Sequence, residues 1–562
     1  MKNGLADLIS VAKGELPADL LLANARVINV FSSEIESGNV AIYGDRIAGV
    51  GDYQRAKKVL DLGGKYIAPG LINGHIHPES SMLDIGQHAR AVVPHGTTAL
   101  ITDLHEIANV CGMEGIKYVL DYARRLPFDL FLMAPSCVPA THLETSGASL
   151  GPEDIRQVLK WKECLGLGEV MNFPGVLSGD ETVLRKISLA TGKIIDGHAP
   201  GVTGKNLSAY IAAGIHSDHE SVSIDEAREK LQLGMTIMIR EGSSEKNLET
   251  LLPLVTDKTY NRCLFVVDDR SCADLLRDGD IDAVVRKAIG LGLDPVRAIQ
   301  LATINPAQYF RRDGLGGIAP GYMANLIVLS DLRRLQIDMV FYQGDMVAQE
   351  DKPLFTLPKA TTELTSTVNI KPFNIEALRF LASGEVMPII EVVPGQIITR
   401  KRLEKIKAIP DTSRDILKLV VVERHKATGN IGVGLVSGFG LKRGALASSI
   451  AHDSHNVIAV GASDEDIFTA IKEIERLQGG LVATAGGKVL ASLALPVAGP
   501  LSDQPLEIVV SKLEGLEKIA GELGTKLSSP FATLSFLALP VIPEIRLTDL
   551  GVVDVNEFKL IK

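Results

Sequence analysis

The 562-residue sequence predicts an α/β protein: a (β/α)8 TIM-type barrel, a small β-sandwich domain drawn from both of its flanks, and an additional C-terminal α+β domain. Three observations carry that prediction. A strand, polar strand end and helical stretch recur eight times across residues 68–322. Alternating apolar and polar residues flank this segment on both sides, and the composition changes after about Pro358.

The flanks come first. Residues 20–50 read as short strands (LLLANARVINV, then NVAIYGDRIAGV), and residues 324–347 (ANLIVLSDLRRLQIDMVFYQGDMV) alternate in the same way. Paired together they would form one β-domain from residues 1–67 and 323–365. The barrel, residues 68–322, shows its strand ends at Gly74-His75-Ile76-His77, Ile101-Thr102-Asp103, Met133-Ala134-Pro135-Ser136, Leu167-Gly168-Glu169, Ile195-Asp196-Gly197-His198, His216-Ser217-Asp218-His219, Ile239-Arg240-Glu241 and Val266-Val267-Asp268-Asp269. In such a barrel the catalytic groups gather where the strands end, because the following loops converge there. Residues 366–562 resume strand and helix patterns and form the third domain. Within its glycine-rich run, Gly432–Gly444, the stretch Gly438–Gly444 has GxGxxxG spacing and fails as a nucleotide fingerprint.

Composition excludes several classes. A net charge of −10, 5 % aromatic residues and one tryptophan (Trp161) argue against nucleic-acid binding and stacking platforms. Five cysteines without a CxxC pair support neither a disulfide framework nor a thiolate zinc site. Residues 1–20 lack the apolar core of a signal peptide, and the apolar stretch 531–542 is too short to span a bilayer. A cytoplasmic protein with free thiols is expected, assembled as a homo-oligomer, most simply a dimer.

The chemistry concentrates at the strand ends. His75 and His77 are two residues apart, so on a strand both imidazoles face one side and could share a metal ion. Glu169, His198, His219 and Asp268 end other strands. Four histidines, a carboxylate able to bridge and a terminal aspartate would build a two-metal site, which can acidify water enough to make a nucleophile at neutral pH. Each residue alone has an ordinary reading: polar loop residues, satisfied core histidines, or a helix cap at Asp268. The donors are nitrogen and oxygen, so Mn, Fe and Zn all remain open.

Longer strings add a resemblance. PGLINGHIHPESSM (69–82) resembles the first-strand signature of the amidohydrolase superfamily of metallo-dependent hydrolases. GTTALITDLHEIANV (96–110), PSCVPATHLETSGA (135–148), LGEVMNFPGVL (167–177), DGHAPGVTGKNLSAYIAAGIHSDHE (196–220), IREGSSEKNL (239–248), ATINPAQYF (302–310), GIAPGYMANLIVL (317–329), GFGLKRGALASSIAHDSHNVIAVG (438–461) and LSFLALPVIPEIRLTDLGVVDV (534–555) are similar to its bacterial and archaeal adenine-deaminase branch. The resemblance spans nearly the whole chain. It implies hydrolysis of the small-molecule substrate adenine to hypoxanthine and ammonia at a dinuclear centre, with Mn favoured. It also implies that His75, His77, Glu169, His198, His219 and Asp268 are the ligands, with Glu169 bridging where several relatives use a carboxylated lysine. Asp268 would take the proton from the attacking water and pass it to the leaving amine.

Further residues are expected around the purine: Glu79, Asp103 and His105 in the catalytic machinery, and Ser80, Glu106, Glu241, Asp269, His452 and His455 in substrate contact. Asp103 and Glu106 would equally start a helix favourably, and His452-Asp453-Ser454-His455 would equally make a solvated turn. The sequence departs from the family pattern in having Leu104 for Pro, and in lacking histidines within Asp269–Cys272 and Gly279–Asp282, positions expected beside Asp268 at the active-site face. Two other functions stay open. One is an amidohydrolase acting on a cyclic amide or related aminopurine, against which strand four ends in Glu169 and not lysine. The other is a non-catalytic barrel, against which all six ligands are present.

Overall fold

The structure, a computed structural model, describes residues 4–360, 363–380, 384–394 and 396–561. Its N-terminal part centres on the twelve-residue strand Ala18–Asn29, whose successive side chains alternate between two apolar faces. Leu20, Leu22 and Val27 join Val40, Ile67, Leu326 and Phe341 on one face. Leu21 and Ala23 pack on the other beneath Leu8 and Val11 of the helix Leu5–Ala12.

This strand pairs antiparallel with Glu34–Tyr43, which pairs with Arg46–Gly51. Its opposite edge is shared. Ala56–Asp61 runs along the first half and Tyr66–Pro69 along the second. Tyr66–Pro69 then pairs with Leu326–Asp331, and the sheet continues through Gln336–Tyr342 and Asp345–Gln349 to Lys352–Pro353. The expected β-sandwich is therefore one continuous nine-stranded sheet. The change of partner falls beside a register shift between Leu22 and Ala25, where Asn24 turns to a φ of 55°. The two flanks meet through Tyr66–Pro69 and also directly, where the Ala324 amide donates to the Asp45 carbonyl at 2.9 Å.

Residues between the flanks form parallel strands: β1 (Leu71–Asn73 and Ile76–His77), β2 (Thr97–Thr102), β3 (Asp129–Pro135), β4 (Cys164–Val170), β5 (Ile194–Gly197), β6 (Ser217–Asp218), β7 (Thr236–Arg240) and β8 (Cys263–Val266 and Asp268–Asp269). β1 to β5 pair in order. β6, β7 and β8 pair in order, and the end of β8 pairs with the end of β1. Between β5 and β6, the His216 amide donates to the Ile195 carbonyl at 2.9 Å. These strands are apolar on both faces, as parallel strands covered by helices must be. Ile72, Ile101, Met133, Met238 and Leu264 form one cluster, while Leu100, Leu132, Leu167, Ile237 and Phe265 pack outward against helices.

The C-terminal part holds an eight-stranded sheet in the order Thr399–Lys405, Val386–Val392, Ile431–Ser437, Leu417–Val422, Val457–Gly461, Ala445–Ser448, Gly480–Ala485, Lys488–Ala494. The helix Asp464–Leu477, capped by the Ser463 hydroxyl, covers one face through Ile467, Ile471 and Ile474. The helices Leu506–Leu523 and Pro530–Phe536 cover the other. That second core is shared with the parallel-strand region, because Met82, Leu83, Val92, Cys272 and Leu275 belong to it. Backbone hydrogen bonds from Asp84 to Ser502 (2.8 Å) and from Ser502 to Met82 (2.7 Å) seal the contact. All five cysteines are free. Among the described residues no helix is long and apolar enough to cross a membrane.

Candidate metal centre

Six of the predicted residues converge. The strand pleat places His75 and His77 on one face of β1, their rings 4.8 Å apart and perpendicular. His219, just after β6, stacks on His75 at 4.4 Å. Glu169, the penultimate residue of β4, reaches across. Its Oε2 lies 2.7 Å from His198 Nδ1 and 3.0 Å from His219 Nε2, and its Oε1 lies 3.5 Å from His77 Nε2. Asp268 Oδ1 stands 3.4 Å from His75 Nε2 and 3.2 Å from His77 Nε2. Asp268 is held at this point by a backbone φ of 64°, in the left-handed region, and its amide donates to the His75 carbonyl at 2.9 Å.

This donor set fits divalent cations. His75, His77 and Glu169 present ligand atoms within 4.8 Å of one another, as do His75, His219 and Asp268, and Glu169, His198 and His219. His75 Nε2 and His77 Nδ1 are buried without a hydrogen-bond partner, a cost that coordination removes. Burial alone would raise the Glu169 carboxyl, but the flanking His198 and His219 hold it well below its ordinary range. Burial likewise opposes charge on His219, and Glu169 overrides it, pushing the ring up to about 9.

Around this core, Asp103 directly follows β2 and accepts from His105 Nδ1 at 2.9 Å and from the Glu169 amide at 3.2 Å. It thus touches two of the six residues directly, Glu169 through its amide and His77 at 3.4 Å from Nδ1. The Ser80 hydroxyl donates to Asp269. Glu79 accepts from the Ile107 amide at 3.4 Å through one oxygen, and its other oxygen is buried without a partner. Burial pushes its carboxyl up to about 7, against the opposing charge of His77. From the C-terminal part, His452 Nδ1 meets Glu106 Oε1 at 2.6 Å and His455 Nε2 meets Glu106 Oε2. The turn at His452–His455 is buried against the parallel strands and not solvated.

Glu241 is the misplaced expectation. Its Oε1 pairs with Lys287 at 2.5 Å and its Oε2 accepts the Leu248 amide at 3.2 Å, so its carboxylate faces the outer helices. Met238 belongs to the inner cluster, so the pleat sends Arg240 inward and Glu241 outward. Arg240 and Glu220, which sequence reasoning passed over, are the residues that arrive. Arg240 donates to Asp268 Oδ2 at 2.7 Å and forks onto Glu220, which stands 3.4 Å from His219 Nε2. Counting by twos from Met238 would have found Arg240.

The family departures also resolve. Leu104 adopts a φ of 55°, which proline cannot reach. Asp280 bonds Thr97 at the start of β2 and Asn73, and Asp282 pairs with Arg286 and His95. Asn73 in turn accepts the Val267 amide, and Arg270 Nε donates to the Gly279 carbonyl, so residues 279 and 280 brace the chain on either side of Asp268 through hydrogen bonds. Ser271 caps the helix Cys272–Asp278.

Known families match this architecture. A profile of the amidohydrolase family matches residues 66–347, and one of the adenine deaminase C-terminal domain matches residues 394–559. The chain belongs to the amidohydrolase family. Over its full length it is 64 % identical to an adenine deaminase of Dehalococcoides mccartyi (strain ATCC BAA-2266 / KCTC 15142 / 195), covering 100 % of this chain and 99 % of that one. It is 48 % identical to adenine deaminase 2 of Carboxydothermus hydrogenoformans and 46 % identical to an adenine deaminase of Clostridium acetobutylicum, covering 99 % of this chain in both and 99 % and 100 % of the relatives. Within the amidohydrolases it is thus a member of the adenine deaminase family.

Proposed function

We propose that the chain hydrolyses adenine to hypoxanthine and ammonia. The observation that carries this is the placement of Glu169, one carboxylate reaching His77 through one oxygen and both His198 and His219 through the other. With relatives named adenine deaminase over the full length, it supports a two-ion site held by His75, His77, Glu169, His198, His219 and Asp268; Mn is the ion we propose for it, with Fe and Zn the alternatives. The strand pairings and the His216–Ile195 hydrogen bond support closure of β1–β8 into a (β/α)8 barrel over residues 68–322, flanked by domains 1–67 plus 323–365 and 366–562.

Bound divalent ions supply the acidity that makes water nucleophilic at neutral pH. The protein's own groups handle the protons. Asp268, kept ionised against its burial by Arg240, receives a proton from the attacking water and delivers it to the departing amine, which leaves only as ammonia. Glu79, its carboxyl pushed up to about 7, can hand a proton to a ring nitrogen as C6 is attacked, and the second proton of the water, released as the C6 carbonyl forms, restores it. Ser80 and Asp269, already hydrogen-bonded to each other, offer a donor and an acceptor to the purine edge. The test is ammonia release by Mn-loaded protein from adenine, adenosine and 6-substituted purines. Turnover of adenine supports the reading. Absence of turnover with every aminopurine, in protein carrying its metal, overturns it.

A further inference from the structure

A second buried cluster lies beside this centre and has no part in the chemistry above. It forms where the segment 451–456 meets the start of the helix His105–Ala123. Glu106 is its hub, with His452 Nδ1 at 2.6 Å from one oxygen, His455 Nε2 against the other, and His105 Nε2 at 3.6 Å. Ligand atoms of His105, Glu106 and Asp453 all lie within 4.8 Å of one another.

Unsatisfied polar atoms mark the place. Asp453 Oδ2 and His455 Nδ1 are enclosed with no hydrogen bond, and Glu106 Oε2 and His455 Nε2 meet only each other. Glu106, Asp453 and His455 are 3 %, 4 % and 2 % exposed. Buried polar atoms in native proteins are nearly always satisfied, so each orphan points to a missing water or ion. The same signature, orphaned ring nitrogens pressed towards a carboxylate, marks His75 and His77 in the centre already described.

Two further features are those of a coordination site. His105 Nδ1 is bound by Asp103 at 2.9 Å, which fixes the ring and presents Nε2 towards Glu106 and Asp453. A carboxylate behind a histidine is how metal-binding imidazoles are oriented. The opposite wall is also held. The buried Arg424 guanidinium donates to the carbonyls of His455 and Ala498, and the His425 ring meets the Ser454 carbonyl at 2.7 Å.

We propose that His105, Glu106, Asp453 and His455 form an additional cation site, distinct from the His75–Asp268 centre, that takes one divalent ion of the Zn, Mn or Fe class. Four nitrogen and oxygen donors without a thiolate suit such ions. Glu106 and His455 become ligands in place of substrate contacts. The ion would tie two stretches of chain more than three hundred residues apart, fastening the C-terminal part over the strand ends. This assignment does not depend on which substrate is turned over.

Metal analysis of full-length protein purified from Mn- or Zn-supplemented cells tests it. About three equivalents per chain are expected, falling to about two in Asp453→Asn and in His455→Gln. Two equivalents in the unmodified protein, or three in both variants, overturn the proposal. Should the variants fail to fold, anomalous diffraction from the unmodified metal-loaded protein decides the matter. A peak between Glu106 and Asp453 supports the site, and its absence there, with peaks at the His75–Asp268 centre, refutes it.

Discussion

Lys230 Nζ lies 2.8 Å from Asp218 Oδ2, and both side chains are 0 % exposed. The same Asp218 carboxylate accepts the amides of Ala199 at 2.9 Å and Ser221 at 3.0 Å. Those amides follow His198 and flank His219, so one buried ion pair pins the two loops that carry half the histidines of the metal centre. Lys230 also meets Glu226 at 2.7 Å and the Ala199 carbonyl at 2.8 Å, which satisfies its ammonium completely.

Lys230→Met should therefore cost about 3–5 kcal/mol of stability, because it strands Asp218 as an uncompensated buried charge. The urea midpoint reads this loss. Metal retention during dialysis against a chelator should fall as well, and retention equal to the unmodified protein would refute the link to His198 and His219.

Asp268→Asn should lower kcat for adenine by at least ~10²-fold, the lower end expected for loss of a positioned proton carrier, and His198→Ala should lower it at least as much by removing a ligand of the proposed two-ion site. Asp268→Asn keeps the shape of the side chain, so its circular dichroism should match the unmodified protein while ammonia release disappears. Wild-type rates in either variant would contradict the roles given to them.

Arg240 reaches Asp268 and Glu220 at once through its fork, which a lysine cannot reproduce. Arg240→Lys should lose about 1.5–3 kcal/mol of charged hydrogen bonding, or roughly 10- to 100-fold in kcat/KM. Glu241→Gln, by contrast, alters an outward ion pair and should change kcat/KM little. Steady-state kinetics on the two variants separates the neighbours.

His88 is buried on the helix Ile85–Val92 with Nε2 unpaired, and burial pulls its ring down to about 4. The unfolded chain protonates this ring near 6.5, so below that pH the unfolded state binds more protons and stability falls as pH drops towards 4. Relative to His88→Gln, the native protein should lose about 1.4 kcal/mol between pH 7.5 and 5.5. Matched urea titrations at the two pH values measure the difference.

The strand ends were legible because parallel strands expose their chemistry in one place, at the residue where an apolar run stops. His75 and His77 announced a shared face by spacing alone. Glu169, His198, His219 and Asp268 needed only that their strands stand side by side. Arg240 was hidden by its neighbour, since Glu241 looks equally functional until the inward position of Met238 sets the parity. Lys230 was hidden for another reason, because an exposed helix and a buried ion pair can share one sequence pattern. The sheet that joins the two flanks was read from its alternation, but its bridging strand, Tyr66–Pro69, is only four residues long.

That bridge sets a timetable for synthesis. Lys65 meets Asp338 at 2.6 Å across 273 residues of chain. At ~5–20 residues per second, the ribosome needs roughly 14 to 55 s to supply the second partner after the first. For that interval the nascent strand Tyr66–Pro69 has one open edge, and the first histidines are made long before the sheet beneath them can be completed.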